Sequence, residues 1–378
     1  MRIGMLCHYY PPHAGGIEIV VWNLARSLSA RHEVTIVTSA IGGVDSATVE
    51  GTSVEDGITI VRTPAYNVTE RFGIPYPVPA GGGLSAAVKS LASADVVHAH
   101  GALYAGSIHA ASLARRNDVP LVVTEHVGFV EYPSRVVNAV ESVAWGTVGD
   151  RVIGATSVLA TINTRTERWL RDRYPATDIR FIGNGVDTKR FLPRVASERS
   201  ETRRAFGLPD DRPLVLFAGR DSDKKNLDAV LEMPRDEFHL VVCGARRGLV
   251  ADGLTDLGLV RHDQMPKLFA CMDVMVQAST GEGFPLVVQE ALASGVAIAI
   301  LWDAGYDSSL DREVVVACDS VDEIAGAVRS LAVNEALRHR LSRAGRAWAE
   351  RHWSWDATAQ AYESVYTELA GAKRRLAA

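Results

Sequence analysis

Cysteine is scarce: four residues in 378 (Cys7, Cys243, Cys271 and Cys318), none paired as C-x-x-C. That leaves little material for a disulfide-stapled secreted fold, and buried thiols in a reducing cytoplasm, the expected location, are the simpler account. Eleven histidines form no H-E-x-x-H or comparable ligand pattern, so no metal is expected. No apolar run approaches the roughly 20 residues that a membrane span needs. The opening MRIGMLCHYYPP has no basic stretch ahead of an apolar one, so no leader peptide is expected; peripheral membrane contact stays open. Basic charge is not in excess either. Forty Lys and Arg against 45 Asp and Glu leave a net charge of −5, which excludes a general nucleic-acid binder. There is no G-x-G-x-x-G fingerprint and no internal sequence repeat. What is present is ordinary for a soluble globular chain, 47 % hydrophobic and 22 % charged. The length is too great for one common core and fits two domains.

The most informative stretch is Gly281 to Gly295, GEGFPLVVQEALASG. Pro285 suits a first helical turn, Val287, Val288, Ala291 and Leu292 recur at helical spacing, and Gly295 is a plausible stop. Glu282 then lies in the loop before the helix and Glu290 inside it. A helix N-terminus, with the N–H groups near Phe284 and Leu286, suits a phosphate, whereas a carboxylate accepts from hydroxyls. One phosphate seat flanked by two such acids is what a nucleotide-sugar needs. The bland alternative is a solvated loop acid and an exposed helix acid.

The rest of the chain alternates strand and helix. Arg2–Cys7 reads as a strand, followed by the Gly15-Gly16 loop, a helix from Ile17 to Leu28 and a strand over Glu33–Thr38, which makes a βαβ unit. The two glycines let backbone approach a bound group. Residues 39–57 read as a surface loop, and 63–83, rich in Pro and Gly, as a binding loop. The strands at 95–100 and 120–126 end in His98, His100, Glu125 and His126, which the carboxyl ends of an open α/β sheet would turn toward a ligand. Residues 134–149 read as a helix. Beyond a polar stretch over 192–212, a strand over 213–218 leads into Gly219-Arg220, and Arg220 and Lys225 can converge on one anion. Arg246 and Arg247 follow another strand and could face a nucleotide base. Residues 257–260 read as a further strand, and 354–372 as a last helix with Tyr362, Val365 and Tyr366 on one side.

These residues, taken in order, resemble the retaining glycosyltransferases of family 4. The matching elements are Gly15-Gly16, T-x-H at Thr124–His126, N-G-V-D at Asn184–Asp187 with Phe191, G-R-x-x-x-x-K at Gly219–Lys225, and E-x7-E at Glu282 and Glu290. The chain departs from that family at Ala297, where a proline is usual, and at Asp303–Asp307, which lacks a Gly-Gly pair. The resemblance implies a GT-B fold: two facing Rossmann-like domains with a cleft between them, residues 1–192 and 193–353, and a C-terminal helix (354–378) packing back on the first. It implies transfer of a sugar from a nucleotide diphosphate, UDP before GDP, to an acceptor hydroxyl, with no cofactor or metal. Arg220 and Lys225 would hold the diphosphate, with Gly15, Gly16, Asn184, Gly283, Phe284, Pro285 and Leu286 around the donor. Glu282 would hold the sugar, Glu290 the ribose, and His126 would lie near the anomeric carbon. His13, His100 and Glu125 are placed on the acceptor side. A nucleotide-sugar 2-epimerase of the same fold, or a non-catalytic binding relative, are the alternatives.

Overall fold

The computed structural model describes residues 1–13, 15–42, 50–68, 76–129, 135–193, 195–244 and 248–377. The chain forms two compact units, Met1–Asn184 with Trp355–Ala378, and Gly185–Ser354.

The first unit runs β1 (Arg2–Leu6), α1 (Gly16–Ser29), β2 (Glu33–Ser39), β3 (Gly51–Glu55), β4 (Ile58–Thr63), β5 (Ala65–Tyr66), β6 (Val78–Pro79), α2 (Gly83–Ser90), β7 (Val96–His100), α3 (Ala105–Asn117), β8 (Leu121–Glu125), α4 (Arg135–Ala144), α5 (Asp150–Ile153), β9 (Val158–Thr161), α6 (Thr164–Arg173) and β10 (Ile179–Phe181). Its main sheet has the order β10-β9-β8-β7-β1-β2-β4-β3, parallel except for the antiparallel β3–β4 pair. Both faces are covered, so the strands are apolar on both sides. Ile3, Met5, Val122 and Val158 pack toward Val21, Leu24 and Leu28 of α1. Leu6, Val97, Leu121 and Val123 pack on the other side, with α2 and α3.

The second unit runs α7 (Ala196–Ala205), β11 (Leu214–Ala218), α8 (Leu227–Leu231), β12 (His239–Cys243), β13 (Leu254–Asp256), α9 (Met265–Cys271), β14 (Val274–Gln277), α10 (Leu286–Ala293), β15 (Ala297–Leu301), β16 (Val316–Cys318), α11 (Val321–Val333) and α12 (Glu335–His352). Its sheet is wholly parallel, in the order β13-β12-β11-β14-β15-β16. The last helix, α13 (Trp355–Ala377), belongs to the first unit. Its Ala359, Tyr362, Val365 and Tyr366 join the core beside α1, and Glu363 pairs with Arg31 and His32.

Four sequence expectations change. The loop expected over 39–57 contains β3, a mostly exposed edge strand whose GTSVE carries no apolar alternation. The strand expected at 257–260 lies earlier, at β13, because Gly258 turns the chain with φ +59° and donates its N–H to Asp256. The helix expected over 134–149 is α4 followed by a wide π turn at Trp145–Gly149, where any Cβ on Gly149 would meet the Trp145 ring at 2.4 Å. The units part after Asn184 and Ser354 rather than after 192 and 353. Phe191 is buried against Phe269 in the second unit, and the Arg346 guanidinium holds the Thr188 and Phe191 carbonyls there.

Candidate active site

Numbered along the chain, the second unit's strands lie in the order 3-2-1-4-5-6, so the connections reverse between β11 and β14. Ligands of such sheets bind outside the carboxyl ends of the strands at that reversal. The loop after β11 carries Gly219, Arg220 and Lys225, and the loop after β14 carries Glu282. The two loops are tied together: the Thr280 N–H donates to the Lys224 carbonyl at 2.8 Å and the Asn226 amide to the Ala278 carbonyl at 2.7 Å. Lys225 Nζ rests 2.9 Å from Glu282 Oε1, both side chains largely shielded. Arg220 is exposed. Behind it, a Cβ on Gly244, which has φ +90°, would come within 2.7 Å of the Gly219 carbonyl, so glycine is required where these two strand ends meet.

The loop then enters α10. Pro285 stands just outside the helix at the N-cap position, with φ −65° and ψ 124°, rather than in its first turn. The N–H groups of Leu286 and Val287 open the helix with no residue four back inside it to accept them. Gly283 and Phe284 are buried, and the Phe284 ring packs on Tyr306 and Trp353, so Phe284 is a core residue and offers the site only backbone. Glu290, just over one turn into α10, is 6 % exposed, and its Oε1 lies 3.1 Å from His262 Nε2. Arg190 reaches the same histidine, donating from Nη2 to its carbonyl at 2.9 Å.

The first unit has its own reversal between β1 and β7. After β1, Gly15 is extended, and a Cβ there would meet the Glu18 carboxylate at 2.3 Å, whereas Gly16 has open space. The close approach at this loop is therefore to Glu18, a buried acid in the first turn of α1 that accepts from His13 at 2.8 Å. Burial pushes the Glu18 carboxyl up, but the His13 hydrogen bond and the nearby His8 and His13 rings outweigh it and hold the group below its ordinary value. The helix end expected to meet a bound anion already carries one of its own.

His98 and His100 in β7 and His126 just after β8 form a buried column. His98 is bonded on both sides, to the Tyr366 hydroxyl and to Thr124 Oγ1, each at 2.7 Å, and Thr124 in turn meets the Tyr362 hydroxyl at 2.8 Å. His100 Nδ1 lies 3.1 Å from His126 Nε2. Burial pushes His98 down to about 3, with His126 adding to it. His126 is likewise at about 3 through burial and then His8, and His100 is well below its ordinary value. All three rings are neutral at pH 7. Glu125 is not available to an acceptor as expected. Its carboxylate accepts the backbone N–H groups of Ala102, His126, Val127 and Gly128, which shapes the loop that carries His126. Asn184 is buried at the end of the first unit.

Arg246 and Arg247 lie outside the described residues. Sequence reasoning missed Glu18, Arg190 and His262 as parts of these loops. Glu18 sits three positions after Gly15, a spacing that could have flagged it. His262 precedes Glu290 by 28 positions with no motif to connect them. Among the described residues no group of three or more His, Cys, Asp or Glu side chains could hold a metal ion, the four cysteines are free and buried, and no helix is long and apolar enough to cross a membrane.

Residues 14–190 match the family model for Glycosyltransferase Family 4, and residues 198–348 that for Glycosyl transferases group 1. A D-inositol 3-phosphate glycosyltransferase from Xylanimonas cellulosilytica is 33 % identical over 99 % of this chain and 98 % of its own. A GDP-mannose-dependent alpha-mannosyltransferase from Mycolicibacterium smegmatis is 28 % identical over 84 % of this chain and 83 % of its own. Among solved structures, sucrose-phosphate synthase from Thermosynechococcus elongatus superimposes with a TM-score of 0.77 at 20 % identity, covering 98 % of this chain and 99 % of that one. Two doubly wound, mainly parallel sheets, each with its reversal point, and matches along nearly the whole length place the chain among the family 4 glycosyltransferases of the GT-B fold, with a group 1 second half.

Proposed function

We propose that this chain moves a sugar from a nucleotide-diphosphate sugar to an acceptor hydroxyl with retention at the anomeric carbon. The observation that carries the reading is the Lys225–Glu282 pair beside Arg220, at the strand reversal and in front of α10. As the donor bond breaks, negative charge grows on the leaving diphosphate. Arg220, Lys225 and the first-turn N–H groups of Leu286 and Val287 are preorganised to meet it. These groups supply the positive charge, and the reading gives no role to a metal ion. Glu282 accepts from sugar hydroxyls and Glu290 from the ribose. The departing phosphate takes the proton of the incoming hydroxyl. His126, read as the histidine near the anomeric carbon, is a neutral ring at pH 7 and so orients rather than protonates. UDP-sugars are the first donors to test. The name of the Mycolicibacterium relative supports GDP-mannose beside them, and that of the Xylanimonas relative supports a small polyol or carbohydrate acceptor.

The test is thermal unfolding with UDP, GDP, ADP and dTDP in turn. A ligand at 100 times its dissociation constant adds about 2.7 kcal/mol to the folded state. One nucleotide should raise the midpoint and name the donor class. Its sugars are then screened by mass spectrometry, and the anomeric configuration of the product is read by NMR. Arg220→Ala and Lys225→Ala should each lower turnover about 100-fold or more while unfolding stays cooperative. Near-normal turnover in both, or no midpoint shift with any nucleotide, would sink the diphosphate assignment, and an inverted product would sink retention.

A further inference from the structure

The N-G-V-D element has a role that donor binding, as read above, does not use. Asp187 Oδ1 accepts the N–H groups of Lys189 and Arg190, both at 3.1 Å, closing a tight turn. Phe191 anchors the far side of that turn in the core, and Arg346 holds its carbonyls. The turn fixes the root of Arg190, whose guanidinium lies along the loop ahead of α9. Nη2 donates to the His262 carbonyl at 2.9 Å, and Nη1 stands 3.5 Å from His262 Nδ1. A guanidinium has only donors, so the ring nitrogen facing it is the acceptor. The ring proton then sits on Nε2, which points at Glu290 Oε1. One carboxylate oxygen is thereby engaged and the rotamer fixed. Among the described residues nothing bonds Oε2.

We propose that Arg190 and His262 are positioning residues for ribose recognition: Arg190 sets the His262 tautomer, and His262 holds the Glu290 carboxylate so that Oε2 meets the vicinal hydroxyls of the nucleotide. The inference rests on the reading of Glu290 as the ribose ligand. It is the metal-ligand orienting arrangement transposed to a carboxylate, where a partner on one imidazole nitrogen decides what the other offers.

The experiment is calorimetric titration of the full chain with UDP, GDP and their 2′,3′-dideoxy counterparts, read as the affinity ratio of ribo to dideoxy form for the base that binds. Hydrogen bonds to a charged group make a ratio of about 10 or more the expectation in the unsubstituted protein. His262→Ala should reduce the ratio to about 2 while leaving the dideoxy affinity in place, which also shows that the nucleotide site is folded. His262→Gln, which keeps an N–H near the Nε2 position, should restore most of the ratio, and Arg190→Met should lower it. Glu290→Ala separates the two readings. If Glu290→Ala abolishes the ratio and His262→Ala leaves it whole, the positioning role is overturned. If Glu290→Ala leaves the ratio whole, the ribose assignment falls and this inference falls with it.

Discussion

Two adjacent glycines show how differently neighbouring residues can be constrained. Gly15 and Gly16 look interchangeable in sequence, yet only Gly15 is crowded. Its φ of −167° is open to any residue, so the requirement is space: a Cβ would press on both oxygens of the Glu18 carboxylate, at 2.3 and 2.6 Å. That carboxylate is buried and bonded to His13, so it cannot swing away without breaking a buried hydrogen bond. Gly15→Ala should therefore cost about 1–3 kcal/mol in urea unfolding, the range for overpacking. Gly16→Ala, at the first helical position with nothing within 4 Å, should hold or gain up to about 1 kcal/mol by constraining the unfolded chain. Equal losses from both would contradict the crowding argument. Full stability with lost turnover in Gly16→Ala would place a substrate against that backbone. Residue positions were legible in the sequence where placement follows from local spacing, as with Arg220 and Lys225, which follow the glycine at the end of β11. Contacts were not legible where a side chain's partner is remote. Glu125 looked like a strand-end ligand because nothing in the sequence shows that the chain turns back on it, bringing the N–H groups of the next three residues and of Ala102, 23 positions earlier, onto its carboxylate, and the core packing of the Phe284 ring was hidden because its partners, Tyr306 and Trp353, lie 22 and 69 positions on.

At the scale of elements, the buried strands and the main helices were readable because apolar runs and helical spacing are strong signals. β3 was not, since an exposed edge strand of Gly, Thr and Ser has no core to pattern itself on. The ends of β7 and β8 carry a further consequence. Packing His98 and His126 as neutral rings inside the sheet leaves their folded values at about 3, against about 6.5 in an unfolded chain. Between those values the unfolded state binds the extra protons. The stability of the first unit should thus be fully present above about pH 6.5 and should fall as the pH drops toward 3, by about 1.4 kcal/mol per unit for each ring. The interval from pH 6.5 to 5 is the clean one, because ordinary carboxylates titrate below it. Urea midpoints taken across that interval should decline, and less steeply in His126→Gln. A flat profile would mean that the two strand ends admit protons without unfolding.

For the molecule as a whole, the question is what the last helix does for a unit whose other elements end at Asn184. Residues 355–377 return to the first unit only after the entire second unit has been made, and the contacts they bring are far apart in sequence: Tyr366 to His98 across 268 positions and Tyr362 to Thr124 across 238. Without α13, His98 Nδ1 would lose the Tyr366 hydroxyl and Thr124 the Tyr362 hydroxyl, leaving only the His98 Nε2 to Thr124 contact, and the apolar face around Met5, Val122 and Val158 would lose Tyr362, Val365 and Tyr366. A buried aromatic alone is worth about 3–5 kcal/mol when truncated, and α13 supplies two tyrosines, against a typical total of about 5–15 kcal/mol for a domain. A chain ending at Ser354 should therefore keep slow amide exchange in β11, β14 and β15 while the amides of β1, β7 and β8 exchange at rates near those of an unfolded segment, as read by hydrogen–deuterium exchange with mass spectrometry. The Tyr366→Phe variant serves as the milder case. It keeps the ring and removes only the bond to His98, so exchange in β7 should quicken without global loss. Retained protection of β1, β7 and β8 in the truncated chain would show that the eight-stranded sheet and α1 are self-sufficient, and that α13 covers the sheet without being needed to hold it.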